Sequence, residues 1–333
     1  MLSAAQMPYR LKSEDDQVHR KTLFKIKGTF HSQDEKRKYF LEEQKRKRNA
    51  VLDSARVGLL LDTPQKITDD DFILKHLSKK KYGKMLMLSE WMEEVPQDLE
   101  EKWLCVPCPI GKRCIVISEK SACYAYSTTG KYLFKNRSLL KEGRVGRTIL
   151  DCIFSRTNNT IYVLDVLLWA DYSLLDCETE FRFYWLTAKF EENMFLVDGG
   201  SKENCKFVPL QSVPASSEGI QLILDSKKFP DKLDGVLFFH KESHYTAGVS
   251  PLVVWLLPFM VPEVLGLSVD EEFAQQPENY PGHLEYVANY DNMRKELRKQ
   301  RAAERAARRT PEMDTSECFG QNHKPIEDEL ELG

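Results

Sequence analysis

Long apolar stretches are missing from this chain of 333 residues. No run approaches the roughly 18 residues needed to span a bilayer. The opening MLSAAQMPYRLKSEDD has no apolar core of the kind a secretory leader carries. The expectation is a cytosolic or nuclear chain that makes no use of a membrane. Metal-ligand sets are missing too. Cys105 and Cys108 have C-x-x-C spacing, but no second such pair and no histidine pair completes a zinc site. His240 and His244 are four apart, yet they leave a strand-like run rather than lie on a helix. The eight cysteines fall mostly inside apolar runs, which in a reducing compartment makes them small core residues. No internal repeat is found, and no cofactor or metal is expected.

What is present is charge, and it is segregated. The net charge is only −3. Between residues 20 and 56, however, twelve bases stand against five acids. A second basic stretch, MRKELRKQRAAERAARR, occupies 293–309, and acids collect at 69–71, 93–101 and 327–332. Ser32-Gln-Asp-Glu35 reads as a capping box opening a helix that runs to about residue 60, where Thr63-Pro64 ends it. Its apolar residues are too sparse for a core of its own, so the helix is expected to be ordered by an acidic partner.

From residue 85 the pattern changes to short runs of β-branched and aromatic residues. Segments 103–107, 113–118, 148–154, 160–169, 181–187, 234–240 and 251–257 all fit strands. One helix is expected near 218–226 and a basic one over 284–309. The fold class is α+β, rich in antiparallel sheet, with an N-terminal basic helical arm. The division is an arm over 1–62, a linker over 63–84, a domain over 85–282, and a basic helix with an acidic tail over 283–333.

Two stretches carry the chemistry: LMLSEW (86–91) and CPIGKR (108–113). The second stands where a covalent nucleotidyltransferase would have K-x-D-G-x-R. Cys108 takes the place of the lysine and Ile110 that of the aspartate, while Gly111 and Arg113 remain. A phosphoramidate enzyme needs an activated lysine amine. A nucleotide pocket without that amine is a binder.

With Trp255 in PLVVWLLPFM, and with TILDCIF, TIYVLDVLLW, CETEFRFYW and LDGVLFFHKESHY, these stretches resemble the snurportins from about residue 85 to 267. Snurportins are adaptors that carry spliceosomal small nuclear ribonucleoproteins into the nucleus by their 2,2,7-trimethylguanosine cap. The resemblance implies the fold of capping enzymes and DNA ligases with the chemistry removed. It also implies that Trp255 stacks on the cationic base and that Trp91 with Leu88 shapes the pocket near the N2 methyls. Ser89 would give a polar contact, Lys112 and Arg113 would reach the phosphates, and Cys108 would lie beside them. The attraction is physical, because an indole face favours a cationic ring by about 1–2 kcal/mol in a dry site. Two methyls on N2 remove both of its donors and add apolar surface. Each residue also has a plainer reading: Trp255 as core, Gly-Lys-Arg as a turn with solvated charges, and Ser89 as a helix cap. Trp103, Trp169 and Trp185 match no such role and are core candidates. One departure concerns the family's further phosphate-facing lysine, which falls at Thr128 in AYSTTG. Lys131 stands three residues beyond.

Residues 19–48 resemble the importin-β-binding segment of the same family. On that resemblance Lys25, Lys27, Lys36, Arg37, Lys38, Lys45, Arg46, Lys47 and Arg48 engage an import receptor of the importin-β superfamily. An export receptor is expected as a further partner, and shuttling between cytoplasm and nucleus as the localisation. The alternatives are a general basic RNA-binding protein localised by KRKR (45–48), and a nucleotidyltransferase using Lys232 in K-x-D-G. The second is opposed by the short chain remaining after Gly235 and by the lack of a later K-x-K.

Overall fold

A computed structural model describes residues 30–60, 82–119, 122–137, 146–192, 205–225 and 232–307. Lys25, Lys27, most of the expected linker and the acidic tail lie outside the described residues.

Helix α1 (Gln33–Leu60) comes first, followed by strand β1 (Met87–Trp91), the one-turn helix α2 (Leu99–Lys102) and β2 (Trp103–Pro109). Strands β3 (Lys112–Glu119), β4 (Ala122–Ser127), β5 (Tyr132–Arg137), β6 (Thr148–Ser155), β7 (Thr160–Trp169) and β8 (Tyr172–Ser173) lead to α3 (Thr179–Glu191). Then come β9 (Lys206–Pro209), β10 (Val213–Pro214), α4 (Ser217–Ile223), β11 (Leu233–His240) and β12 (Gly248–Leu256). Helices α5 (Val261–Leu265) and α6 (His283–Ala307) close the order.

The strands form two sheets. One has the order β1-β12-β11-β2-β10; the other runs β5-β4-β3-β6-β7-β8, with β9 added to β7. Pairing is antiparallel except for β1 with β12 and β7 with β9. Between the sheets lies one core, where Leu104, Val106, Leu237 and Phe239 of the first meet Ile115, Ile117, Ile149 and Leu164 of the second. Each sheet is also covered on its outer face. Cys114, Val116, Leu150 and Val163 pack under Leu186 and Phe190 of α3. Trp103, Val236, Phe238 and Val254 pack under Ile220 and Ile223 of α4. Burial on both faces explains why the strand segments read as unbroken apolar runs rather than alternating ones.

Segment 181–187, expected as a strand, is instead the middle of α3. Its buried residues Thr179, Arg182, Phe183, Leu186 and Phe190 recur every three or four positions, the spacing of one helix face. Aromatic richness concealed that period. Arg182 is fully buried and forks onto Asp165 of β7, with Nε–Oδ1 at 2.9 Å and Nη2–Oδ2 at 2.8 Å. Its Nη1 donates to the Cys177 carbonyl at 2.7 Å. A strand there would leave this charge without its partner, at a cost of about 3–5 kcal/mol. Helix α4 is shorter than expected, and the Ser216 hydroxyl caps it by accepting from the Gly219 amide at 3.2 Å.

Ser32 caps α1 as expected, while the return bond from Glu35 reaches the residue before the cap. Its Oγ accepts from the Glu35 amide at 3.1 Å, and the Glu35 carboxylate accepts from the His31 amide at 3.0 Å. The helix lies on the domain. Arg37 is 4% exposed and donates to the Glu94 carbonyl at 2.8 Å, with its guanidinium 5.7 Å from the Trp103 ring. Lys36 pairs with Glu90, Lys45 with Glu242 at 2.5 Å, and Arg48 with Glu178 at 3.4 Å. The acidic partner that the charge pattern asks for is here supplied in part by the chain itself.

Candidate functional site

The turn from β2 into β3 brings the two sheets together at one end of the inner core. Cys108, next to the end of β2, pairs with Gly235 of β11. Gly235 matters because the Trp255 ring lies directly on it: a Cβ there would be 2.5 Å from the ring and 2.5 Å from the Leu256 carbonyl. Trp255 is half-buried and packs with Leu88 and Cys108 against the inner core. β1 runs parallel to β12, with Leu88 opposite Val249, Ser89 opposite Ser250 and Trp91 opposite Trp255. The register shifts between Ser89 and Glu90. Leu88, Cys108 and Trp255 are thereby gathered, with Ser89 half-buried beside them.

Burial pushes the Cys108 thiol far up, with the Asp234 charge adding to it and Arg113 opposing. Cys108 therefore stays a thiol at neutral pH and offers no thiolate nucleophile. Asp234 falls at the irregularity between Leu233 and Gly235, and burial raises its carboxyl to about 6. That acidic group near Cys108 was not read from the sequence, where it appeared only as a letter in K-x-D-G.

Lys112 and Arg113 both begin β3, but they differ. Lys112 is half-buried. Arg113 is committed inward, with Nε and Nη2 on the two oxygens of Asp151 at 2.6 and 2.8 Å and Nη2 also 3.4 Å from the Met87 carbonyl. The Tyr245 hydroxyl donates to the same carboxylate at 2.7 Å and accepts from the Met87 amide at 3.0 Å. Burial raises the Asp151 carboxyl, while Arg113 and Tyr245 draw it down. The network ties β3, β6 and the segment after β11 to β1. A charged fork beside a buried carboxylate was the available signal, and it needed Asp151 to be placed.

Trp91 is the ladder partner of Trp255, and its side chain packs with the outer cluster of the first sheet. Its ring meets Tyr290 of α6 at 4.8 Å and 74°, and its carbonyl accepts from Gln33 Nε2 at 3.0 Å. At the β4–β5 turn Lys131 is exposed, and its amide donates to Ser127 Oγ at 3.1 Å. Lys84, assigned to the linker by sequence, also reaches this turn, its amide donating to the Thr128 carbonyl at 2.9 Å. Trp103 and Trp169 are buried in the cores, and Trp185 is half-buried. Of the arm cations, Lys36, Arg37, Lys45 and Arg48 face the domain. Arg46 and Lys47 pair with Glu43 of α1 at 2.7 and 3.5 Å, and Lys38 is exposed.

The arrangement offers an aromatic face, an aliphatic wall and cations at the rim. A family model described as Snurportin1, m3G cap-binding domain matches residues 85–258. Among solved structures, the ligase domain of LigD from M. tuberculosis is 16% identical with a TM-score of 0.38, over 51% of this chain and 58% of that one. A Chlorella virus DNA ligase-adenylate is 14% identical with a TM-score of 0.36, over 53% of this chain and 67% of that one. The chain thus spans little more than half the length of the mycobacterial domain.

Proposed function

The chain belongs to the snurportin family through its m3G cap-binding domain, and from that premise we propose a non-enzymatic import adaptor. Its ligand is the 2,2,7-trimethylguanosine cap of small nuclear RNAs within their ribonucleoproteins. The observation that carries this reading is the half-exposed Trp255 ring laid over Gly235 at the mouth of the inner core, with Cys108 where a nucleophilic lysine would stand. Trp255 stacks on the base, Leu88 and Trp91 line the methyl side, and Ser89 makes a polar contact. Lys112 is the main phosphate contact, with Lys131 and Lys84 at the neighbouring turn, and Arg113 holds the pocket's shape through Asp151.

Nucleotidyl transfer has no support at the residue level. Cys108 is a buried thiol. Lys232 is exposed, whereas activation of a lysine nucleophile needs a desolvated site. Incubation with labelled GTP or ATP should leave no covalent adduct.

The arm engages an import receptor of the importin-β superfamily, and an export receptor returns the adaptor, so the protein shuttles between cytoplasm and nucleus. Support for the receptor is the cationic surface of α1 together with the family membership. Basic helices of this kind suit acidic grooves.

The test is competition. A trimethylated cap dinucleotide should displace capped RNA, and Trp255→Ala should weaken that binding by about 2–4 kcal/mol while the fold survives. Displacement that ignores methylation would point instead to a general basic RNA-binding protein.

A further inference from the structure

The C-terminal helix lies beyond the matched domain, yet it reaches Trp91. Helix α6 turns one face to the first sheet: His283 is buried and Tyr286, Val287 and Tyr290 are half-buried, while Leu284, Glu285, Ala288 and Asn289 are exposed. After Tyr290 the described side chains Asn292, Glu296, Lys299, Gln300 and Ala303 are all exposed. Among the described side chains, the helix is thus applied to the domain over its first two turns, and Tyr290 is the last that is half-buried.

Tyr290 ends an anchored chain of rings. Its ring lies 4.8 Å from that of Trp91 and 6.1 Å from that of Tyr286. Tyr286 lies 5.5 Å from Tyr280 and 5.9 Å from Phe259, and those two are 5.2 Å apart. The far end is fixed by Glu263, which accepts from the Tyr280 hydroxyl at 2.7 Å and the His283 amide at 2.8 Å. Trp91, by contrast, sits on β1, the edge strand of its sheet. An edge indole gains its position from what is packed beside it.

The geometry points to Tyr290 as a positioning residue, holding the Trp91 indole so that the pocket separates a dimethylated guanine N2 from an unmethylated one. This rests on the cap-binding reading above. Two methyl groups gain from an apolar wall only while that wall excludes water. An indole free to turn away admits water and loses the advantage, with little effect on stacking at Trp255. Tyr290 touches neither the base nor the phosphates in this account; it acts through Trp91.

The experiment measures the affinities of trimethylated and monomethylated cap dinucleotides for the full chain by tryptophan fluorescence. The variants are Tyr290→Ala, Tyr290→Phe, Trp91→Ala and the double Trp91→Ala/Tyr290→Ala. Tyr290→Ala should lower the preference for the trimethylated cap by about threefold to tenfold, the range for one aromatic pair. Tyr290→Phe should keep the preference. In the Trp91→Ala background, Tyr290→Ala should change the ratio no further. An unchanged ratio in Tyr290→Ala, or an added loss in the double variant, would overturn the inference. If Tyr290→Ala does not fold, Tyr290→Leu keeps apolar bulk without the ring, and its ratio decides in the same way. A parent protein that binds trimethylated cap but shows no preference sinks this inference while cap binding stands. A parent that binds no cap sinks both.

Discussion

Arg113 and Lys112 are neighbours in sequence with different physical standing. Arg113 shares a buried carboxylate with Tyr245, so Arg113→Ala leaves Asp151 uncompensated and should destabilise the domain by about 3–5 kcal/mol. Thermal or denaturant unfolding reads this directly. Lys112→Ala should weaken the cap dinucleotide more than the free trimethylated nucleoside, because only the dinucleotide carries the bridge phosphates. Added salt should shrink that difference. Equal loss for both ligands would show that Lys112 supports the fold. The sequence presented both as phosphate-facing cations, since nothing local to GKR reveals which one meets Asp151, thirty-eight positions beyond Arg113.

At the scale of elements, α1 shows how a charge pattern can be legible while its partner is not. The capping box, the length and the lack of an apolar face were all readable. The docking contacts were not, because they join residues far apart in sequence, such as Lys45 and Glu242. Glu242 is held down at about 2, chiefly by hydrogen bonds from Lys45 and Lys102. A carboxyl depressed by folding contributes stability above its unfolded value, near 4.5, and that contribution is lost as pH falls toward 2. Acid should therefore loosen the middle of α1, and Glu242→Gln should do the same at pH 7. Hydrogen exchange of the amides at 40–48 would show it as faster exchange in the variant; no change would mean the pair holds nothing. Helix α3 makes the opposite case. Its period was present in the letters, but seven residues rich in aromatics fit a strand equally well until Arg182 finds Asp165. The strands with two buried faces, by contrast, were recognisable because apolar runs of that length have few other uses.

For the molecule as a whole, the sequence places the arm and the cap domain as separate modules, and the structure joins them by ion pairs, by hydrogen bonds of Gln33 and by the buried Arg37. Exposed pairs of this type are worth about 0–1 kcal/mol each. Deleting residues 1–62 should accordingly abolish import of capped cargo while changing cap affinity by no more than about twofold, since 1.4 kcal/mol would already be tenfold. Charge reversal at Lys45, Arg46, Lys47 and Arg48 should mimic the deletion in an import assay, because an acidic receptor groove would then meet like charge. A truncated protein that loses its cap affinity would mean that the contacts of Gln33 and Lys36 with β1 shape the pocket.

Whether the site at Trp255 reads a methylated cap is decided by one titration. The full chain is titrated with trimethylated and with monomethylated cap dinucleotide under the same salt. Burying two further methyl groups is worth about 0.8 kcal/mol each, so the trimethylated ligand should bind roughly tenfold tighter or more. Equal affinities, or a preference for the monomethylated cap, would contradict the account.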